Sequence, residues 1–434
     1  MSQFIIQGGR KLSGAITTNS SKNAAVALLT ASILNKGVSE LLNFPRIQET
    51  NRIIEVLSSL GFKFSWPSAH HLKIMPPARI RLDKINRQAA AKTRIILLFI
   101  GALIHDFARF NLPQAGGCTL GKRSVNPHFF ALEEFGIKSK INRCSYSISR
   151  GQLKAVKNLV LYESGDTVTE NALLVAAKIP AVTTIKFASA NYQVQDLCYF
   201  LKGLGVKISG IGTTTLTVTG KKLIKKNLKY YLTEDPIESM FFIAIAATTN
   251  SSIVIKRCPI DFLELELLKL QKMGFKFNII RQYKAKNGHS RLADLETYPS
   301  TLTALEDKIY GRPYPGLNID NLPFFVPIAT QARGRTFIHD WAFENRAIYS
   351  TEFNKLGAAV TLNDQHRFYI DGPTPLKPAD ITAPPALRPG AVLIVGMLAA
   401  RGTSVLRNIY SIERGYEDLS SRLKKIGAHI EKSE

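Results

Sequence analysis

The chain has 434 residues, of which 45% are hydrophobic and 21% charged, a composition typical of a soluble globular protein with two or three domains. Its longest apolar runs, Ile95–Ile104 and Ala391–Ala400, hold about ten residues; a membrane span needs about 20, so we predict buried core helices instead. The N-terminus lacks the pattern of a secretory signal. The four cysteines show no CxxC spacing, which predicts a reducing, cytoplasmic location without disulfides or structural zinc.

The formal net charge is +24, which suits anionic partners. Lys and Arg are spread along the whole chain, so a solvated surface in a basic proteome explains the excess equally well. The densest basic stretch, Lys221–Lys229, lacks the interleaved aromatic residues of a nucleic-acid platform. Nucleic acid is therefore the lesser alternative as a partner.

One short pattern recurs six times: an apolar residue, two variable residues, an apolar residue, Gly and an alternating apolar run. The six copies are Leu57–Phe64, Leu132–Ser139, Leu201–Ile208, Leu270–Phe277, Phe353–Val360 and Leu423–Ile430. Their glycines are 75, 69, 69, 83 and 70 residues apart. Gly accepts the left-handed conformation that ends a helix, and the alternation predicts a half-buried strand. The chain therefore reads as six copies of one helix-and-strand unit.

Six strongly apolar stretches run in phase with these glycines. They are TTNSSKNAAVALLTASIL, AAAKTRIILLFIGALI, TVTENALLVAA, EDPIESMFFIAIAAT, NIDNLPFFVPIATQA and PPALRPGAVLIVGMLAA. Helices that are apolar on most faces belong inside a core, so each unit should hold one buried helix, one amphipathic helix and strands. Six units exceed one comfortable core, which predicts three plus three with a boundary near Lys221–Lys229.

The starts of the buried helices carry unusual charges. Lys22 and Asn23 open the first, Arg94 the second, Asp320 the fifth and Arg388 the sixth. A helix N-terminus favours anions, so a cation there is poorly placed unless an anionic ligand joins it. Three cations at equivalent positions predict anion ligands, although each alone would read as a solvated surface charge.

The loop Pro113–Arg123 (PQAGGCTLGKR) has three glycines in six residues, which predicts mobility. Cys118 lies there beside Lys122 and Arg123, and neighbouring cations favour a reactive thiolate. Cys118 is a candidate acid or nucleophile, with an incidental loop cysteine as the alternative. Cys144, Cys198 and Cys258 lack this setting and are predicted to be packing residues.

Two further segments, FENR and RGYE, add to these features. Together they make the chain resemble the UDP-N-acetylglucosamine enolpyruvyl transferase family, from Phe4 to Glu431. The residues that carry the resemblance are SKNAA at Ser21–Ala25, GGCTLGKR at Gly116–Arg123, FENR at Phe343–Arg346, LR at Leu387–Arg388 and RGYE at Arg414–Glu417. A GGC sequence with Arg five residues after the Cys is quite specific, and all five segments in order are very specific.

The resemblance implies an α/β (α+β) fold: a two-domain inside-out α/β barrel of six βαβαββ-type units, three per domain, with helices buried inside the sheets. One domain would be residues 22–232 with the mobile Cys loop 113–123. The other would combine residues 1–21 with 233–434, and the active site would be the cleft between them.

The implied reaction transfers the enolpyruvyl group of phosphoenolpyruvate to the 3′-hydroxyl of UDP-N-acetylglucosamine and releases phosphate. It is the first committed step of peptidoglycan synthesis and proceeds by addition and then elimination. No metal or organic cofactor is implied. The expected partners are these two small molecules, with no membrane partner and the oligomeric state open.

The resemblance also implies residue roles. Cys118 would protonate the methylene carbon of phosphoenolpyruvate, and Asp320 would be the base near the sugar hydroxyl. The cations that would hold phosphate and carboxylate are Lys22, Arg123, Arg388 and Arg414. The residues that would contact the nucleotide sugar or line the closing cleft are Asn23, Arg94, Phe343, Arg346 and Leu387.

Four segments depart from the family pattern. Ala386 stands where Asp precedes Leu-Arg, and Ala190–Gln193 replaces Arg-Glu-Pro-Glu. Arg123–His128 and Asp235–Glu238 differ from Arg-Pro-Val-Asp-Leu-His and Asp-Arg-Ile-Glu. These departures bear on elimination and on acceptor choice. 5-Enolpyruvylshikimate-3-phosphate synthase lacks the GGC loop, so Cys118 argues against it. A divergent enolpyruvyl transferase with another acceptor, and an inactive basic protein that binds anions or nucleic acid, remain alternatives.

Overall fold

The computed structural model describes residues 2–116 and 124–433. Its strands, in chain order, are β1 Gln3–Gly8, β2 Ser13–Thr17, β3 Ser39–Leu42, β4 Lys63–Ser68, β5 His71–Met75, β6 Arg109–Pro113, β7 Ile137–Ile141, β8 Ser145–Arg150, β9 Leu159–Val160, β10 Val182–Lys186, β11 Lys207–Ser209, β12 Thr215–Thr219, β13 Leu228–Tyr231, β14 Ser252–Pro259, β15 Lys276–Lys284, β16 Arg291–Tyr298, β17 Ile309–Tyr310, β18 Gly334–His339, β19 Ala359–Leu362, β20 Arg367–Gly372, β21 Asp380–Thr382, β22 Gly402–Arg407 and β23 His429–Ser433.

The α-helices are α1 Lys22–Ala31, α2 Gln48–Ser59, α3 Arg87–Ala91, α4 Leu98–Leu103, α5 Asn126–Glu134, α6 Asp166–Ala176, α7 Tyr192–Gly203, α8 Pro236–Thr248, α9 Glu264–Lys272, α10 Phe325–Ala329, α11 Leu387–Ala399, α12 Tyr410–Glu413 and α13 Leu419–Lys424. The 3₁₀ helices are Ser32–Leu34, Leu82–Lys84, Arg94–Leu97, Ile260–Phe262, Leu322–Phe324 and Arg346–Leu356.

Two compact units divide the described residues. The first unit contains residues 2–19 and 234–433, and the second contains residues 20–116 and 124–233. Backbone hydrogen bonds inside each unit fix the chain near these borders. Asp235 N–H donates to the Asn19 carbonyl at 2.8 Å in the first unit, and Ser21 N–H donates to the Thr233 carbonyl at 2.9 Å in the second.

Six small sheets account for the described strands, three in each unit. Their strand orders are β21-β22-β1-β23, β15-β16-β14-β2 and β17-β18-β20-β19 in the first unit, and β13-β3-β5-β4, β11-β12-β10-β9 and β6-β8-β7 in the second. In the five four-stranded sheets, one edge strand pairs parallel and the other pairings are antiparallel. Six sheets of nearly one design confirm the six-unit repeat and the mixed α/β class.

The repeated glycines end the helices that precede six edge strands. All six have positive φ, between 80° and 101°, and the strands that follow them are β4, β7, β11, β15, β19 and β23. In the first copy the Phe62 N–H donates to the Leu57 carbonyl across Gly61 at 3.1 Å. This Schellman geometry joins the pattern's first apolar residue to the residue after Gly. The predicted left-handed turn followed by a strand is confirmed.

The apolar stretches form the buried helices of the units. Every residue of α8 is buried, as are Leu98–Leu103 of α4 and most of α1, α6, α10 and α11. The predicted amphipathic helix of the fifth unit is instead the 11-residue 3₁₀ helix Arg346–Leu356. In the described part of the chain, the helices are too short or too polar to span a bilayer.

Candidate functional site

The start of α11 in the first unit brings three site residues together. Arg388 is the second residue of this helix and is buried, with 6% of its surface exposed. Its Nε lies 3.7 Å from Asp320 Oδ2, and its Nη1 donates to the Tyr416 hydroxyl at 3.1 Å. Burial raises the pKa of the Tyr416 phenol above its usual value, and the charge of Arg388 opposes that rise. The result is a guanidinium fixed between a carboxylate and a phenol.

The RGYE segment packs closely against α11. A Cβ on Gly415 would lie 2.3 Å from Leu387 Cδ2, and one on Gly390 would lie 2.8 Å from Ile412 Cγ1. Neither position therefore accepts a larger side chain without a shift of its neighbour. Arg414, which precedes Gly415, is half-buried. This packing explains how Leu387, Arg388 and Arg414 come to share one region of the first unit.

The FENR segment supports the turn that bears Asp320. The Arg346 guanidinium is buried; its Nε donates to Asp340 Oδ1 at 3.0 Å and Oδ2 at 2.9 Å, and its Nη2 donates to the Ile319 carbonyl at 2.9 Å. Burial alone would lower the pKa of Arg346, but the Asp340 carboxylate keeps it above the ordinary value. Phe343 is half-buried and its ring lies 4.7 Å from the Arg346 guanidinium carbon. Arg346 thus contacts the residue directly before Asp320.

In the second unit, Lys22 and Asn23 open α1 as predicted. The Ser21 hydroxyl accepts a hydrogen bond from the Ala24 N–H at 3.1 Å and caps the helix. Lys22 and Asn23 are half-buried, and Asn23 Nδ2 donates to the Tyr192 hydroxyl at 3.1 Å. Tyr192 is 1% exposed, so its phenol is a fixed acceptor for the Asn23 amide.

Arg94 opens the 3₁₀ helix that leads into α4. Its Nη2 donates to the Ser124 carbonyl at 2.8 Å, which joins the helix start to the residue that follows the Cys loop. Nearby, His128 is buried between Asn171 and Thr167, with ring nitrogens 3.2 Å from the polar side-chain atom of each. Burial and then the charge of Arg94 lower the pKa of His128 to about 3, so the ring is neutral at physiological pH.

The predicted acid Cys118 and the predicted anion ligand Arg123 lie outside the described residues. Among the other cysteines, Cys198 and Cys258 are buried, which confirms their prediction as packing residues, and burial raises the pKa of the Cys258 thiol to about 12. The same prediction for Cys144 is wrong, because its side chain is exposed in the connection between β7 and β8. A hairpin connection needs no apolar side chain.

Two contact residues were missed by the sequence analysis. Tyr416 lies inside the quoted RGYE motif but received no role, and Tyr192 was noted only as a departure from the family pattern. A tyrosine within an otherwise polar motif was the available signal, since a buried hydroxyl requires a partner. Among the described residues, no group of three His, Cys, Asp or Glu side chains is placed to hold a metal ion.

Comparison with known proteins identifies the family. The family model described as EPSP synthase (3-phosphoshikimate 1-carboxyvinyltransferase) matches residues 6–423. The UDP-N-acetylglucosamine 1-carboxyvinyltransferase of Treponema denticola is 32% identical over 100% of both chains. The enzyme of the same name from Bradyrhizobium diazoefficiens is 31% identical over 99% of this chain and 98% of its own.

Solved structures agree on the fold. The enolpyruvyl transferase NikO from Streptomyces tendae superposes with a TM-score of 0.87 at 22% identity, over 100% of this chain and 99% of NikO. EPSP synthase from Acinetobacter baumannii gives a TM-score of 0.75 at 17% identity, over 100% of both chains. The predicted enolpyruvyl transferase fold is thereby confirmed, and the chain belongs to the EPSP synthase family of enolpyruvyl (1-carboxyvinyl) transferases.

Proposed function

We propose that this protein transfers the enolpyruvyl group of phosphoenolpyruvate to the 3′-hydroxyl of UDP-N-acetylglucosamine in the cytoplasm, as the first committed step of peptidoglycan synthesis. The observation that carries the proposal is the placement of Arg388 between Asp320 and Tyr416. Relatives about 30% identical over the full length bear the name of this activity, and the acceptor in that name is the one we assign here.

The chemistry has two steps. In the addition, Asp320 accepts the proton of the sugar hydroxyl, whose oxygen bonds to C2 of phosphoenolpyruvate while Cys118 protonates C3. In the elimination, the thiolate left on Cys118 takes a proton back from the new methyl group, the C2–C3 double bond re-forms and phosphate departs. Both steps pass through states of concentrated negative charge, which fixed cations stabilise in a site that excludes water. Lys22, Arg123 and Arg388 are proposed for that task.

The remaining candidates have supporting roles in this proposal. Arg414 would add a further cation to the phosphate and carboxylate site. Asn23, whose amide nitrogen is already bound to Tyr192, presents its carbonyl oxygen to the nucleotide sugar. Arg94, Phe343 and Leu387 would line the acceptor site, and Arg346 would support it through the Ile319 carbonyl.

Phosphate release tests the proposal. Release should require both phosphoenolpyruvate and UDP-N-acetylglucosamine, and should be absent with shikimate 3-phosphate as acceptor. Arg388→Met should abolish release. Arg407→Met is the matched control, because Arg407 is half exposed and pairs with Asp380 on the surface of the same unit. Release that prefers shikimate 3-phosphate, or equal activity in both arginine variants, would contradict the proposal.

A further inference from the structure

The turn before α10 is held by a buried carboxylate that the proposed mechanism does not use. Glu266 lies on α9 and is 2% exposed. Its Oε1 accepts hydrogen bonds from the Asn318 N–H at 3.1 Å and from Asn321 Nδ2 at 2.8 Å. These two donors flank Asp320 on both sides, so one oxygen atom clamps the turn that bears it.

Two further contacts complete the clamp. The Asn318 side-chain oxygen accepts from the Asp320 N–H at 2.9 Å. From the other side, Arg346 donates to the Ile319 carbonyl. Every residue from Asn318 to Asn321 is therefore tied by a side chain, and three of the four ties come from two buried charged groups on distant segments, Glu266 and Arg346.

A buried carboxylate in this place destabilises the folded protein unless hydrogen bonds compensate for its burial. Burial raises the pKa of Glu266, and the hydrogen bonds from Asn321 and Asn318 oppose that rise. Leucines of α9 that share its buried face, Leu267 and Leu270, are 5% and 0% exposed. An apolar residue would suit that face better, and the contacts that compensate for the carboxylate are the two donors on the Asp320 turn.

We infer that Glu266 is a positioning residue for Asp320: it fixes the 318–321 turn so that the Asp320 carboxylate stays beside Arg388. The inference rests on the proposed function, in which Asp320 takes the acceptor proton. A carboxylate displaced by about 1 Å loses roughly a hundredfold in rate. The loss belongs to the chemical step, so it should appear in kcat, with little change in the KM for phosphoenolpyruvate.

Three variants separate positioning from general stability. Glu266→Leu removes the acceptor and leaves the buried Asn321 amide unpaired. Glu266→Gln keeps an acceptor, because both donors meet the single atom Oε1 and an amide oxygen can take its place. Leu267→Ala is the matched control, since it disturbs the same helix face at the next residue and leaves both Glu266 hydrogen bonds to the turn in place.

Two measurements are made on each variant: steady-state phosphate release, and hydrogen exchange of the Asn318 and Asp320 amides. We expect Glu266→Leu to lower kcat at least about tenfold, with the KM for phosphoenolpyruvate within about threefold, and to expose both amides to exchange. Glu266→Gln should restore most of kcat and protection, and Leu267→Ala should retain both.

The inference is overturned if Glu266→Leu lowers kcat no more than Leu267→Ala, if Glu266→Gln behaves like Glu266→Leu, or if exchange at the two amides does not change. Failure of the proposed function looks different, because the wild-type protein would then release no phosphate from the two substrates. In that case the exchange data alone decide whether Glu266 fixes the turn.

Discussion

The buried Asp340–Arg346 pair offers the sharpest test of how the first unit is stabilised. Asp340 is fully buried and Arg346 is 5% exposed, and three hydrogen bonds of 2.5 to 3.0 Å join them. Asp340→Ala would leave the buried guanidinium charged and without its carboxylate partner, with the Ile319 carbonyl as its remaining acceptor. Removal of one partner from such a pair costs about 3–5 kcal/mol. With a urea m-value of about 2–3 kcal/mol/M for a unit of this size, the unfolding midpoint should fall by about 1–2.5 M.

The two tryptophans of the chain allow each unit to be followed separately, since Trp66 lies in the second unit and Trp341 in the first. Urea unfolding of Asp340→Ala in a Trp66→Phe background reports on the first unit through Trp341. Asp371→Ala is the matched control. Asp371 on β20 and Arg335 on β18 form a bidentate pair on the exposed surface of the first unit. Surface pairs contribute little, so equal midpoint shifts in the two variants would refute the reasoning.

Three further predictions follow from individual contacts. Tyr416→Phe removes the hydroxyl that Arg388 contacts and should lower kcat/KM for phosphoenolpyruvate about tenfold, measured by phosphate release. The folded-state pKa of His128 is about 3, below its unfolded value, so its contribution to stability is complete above about pH 6.5 and is lost as the pH falls toward 3. At pH 5 the loss in the free energy of unfolding is about 2 kcal/mol. The variant His128→Gln should not show this loss when its urea unfolding is measured by Trp66 fluorescence in a Trp341→Phe background. In a Cys118→Ser background, a thiol reagent should label Cys144 fast and Cys198 only after unfolding.

Much of the fold was predictable because it rests on local rules. Each repeat glycine must adopt positive φ, and each following run alternates with period two, so the ends of six helices and the starts of six edge strands could be placed from the sequence. The apolar stretches are buried as predicted, because helices that are apolar on most faces belong inside a core. The short parallel edge strands were not predictable, because β9 and β17 have two residues each and are defined by their neighbours in the sheet.

The site residues could be predicted only where a charged side chain lies at an unusual position, such as a cation at a helix start. Lys22, Arg94 and Arg388 could be found because cations at helix starts require an explanation. Glu266 left a weaker signal: with Leu263, Leu267 and Leu270 it follows the i, i+3, i+4, i+7 spacing of a buried face. The sequence ELELLKLQK nonetheless reads as a charged surface helix, and only the tertiary structure brings the Asn318–Asn321 turn to it.

The departures from the family pattern differ in whether they leave a side chain that can cap the helix at its start. At the start of α7, Asn191 caps the helix and donates to Asp166 at 3.1 Å, and Tyr192 holds Asn23. At the start of α8, the Asp235 side chain accepts from the Ile237 N–H at 2.9 Å. Pro236 is the first residue of the helix, where the backbone N–H that proline lacks has no partner inside the helix. Both helices therefore keep a polar N-cap residue.

Ala386 is different. It is the N-cap residue of α11, it is buried, and it has no side chain that could cap the helix. The next two positions are Leu387 and Arg388, and Pro389 has no N–H, so a carboxylate at 386 would have accepted a hydrogen bond from the Arg388 N–H in the first turn. Its absence removes a negative group two residues before Arg388, whose guanidinium contacts Asp320. The step most affected should be the one that needs a second proton acceptor, so we expect the loss of the Asp-Leu-Arg pattern to slow the elimination rather than substrate capture.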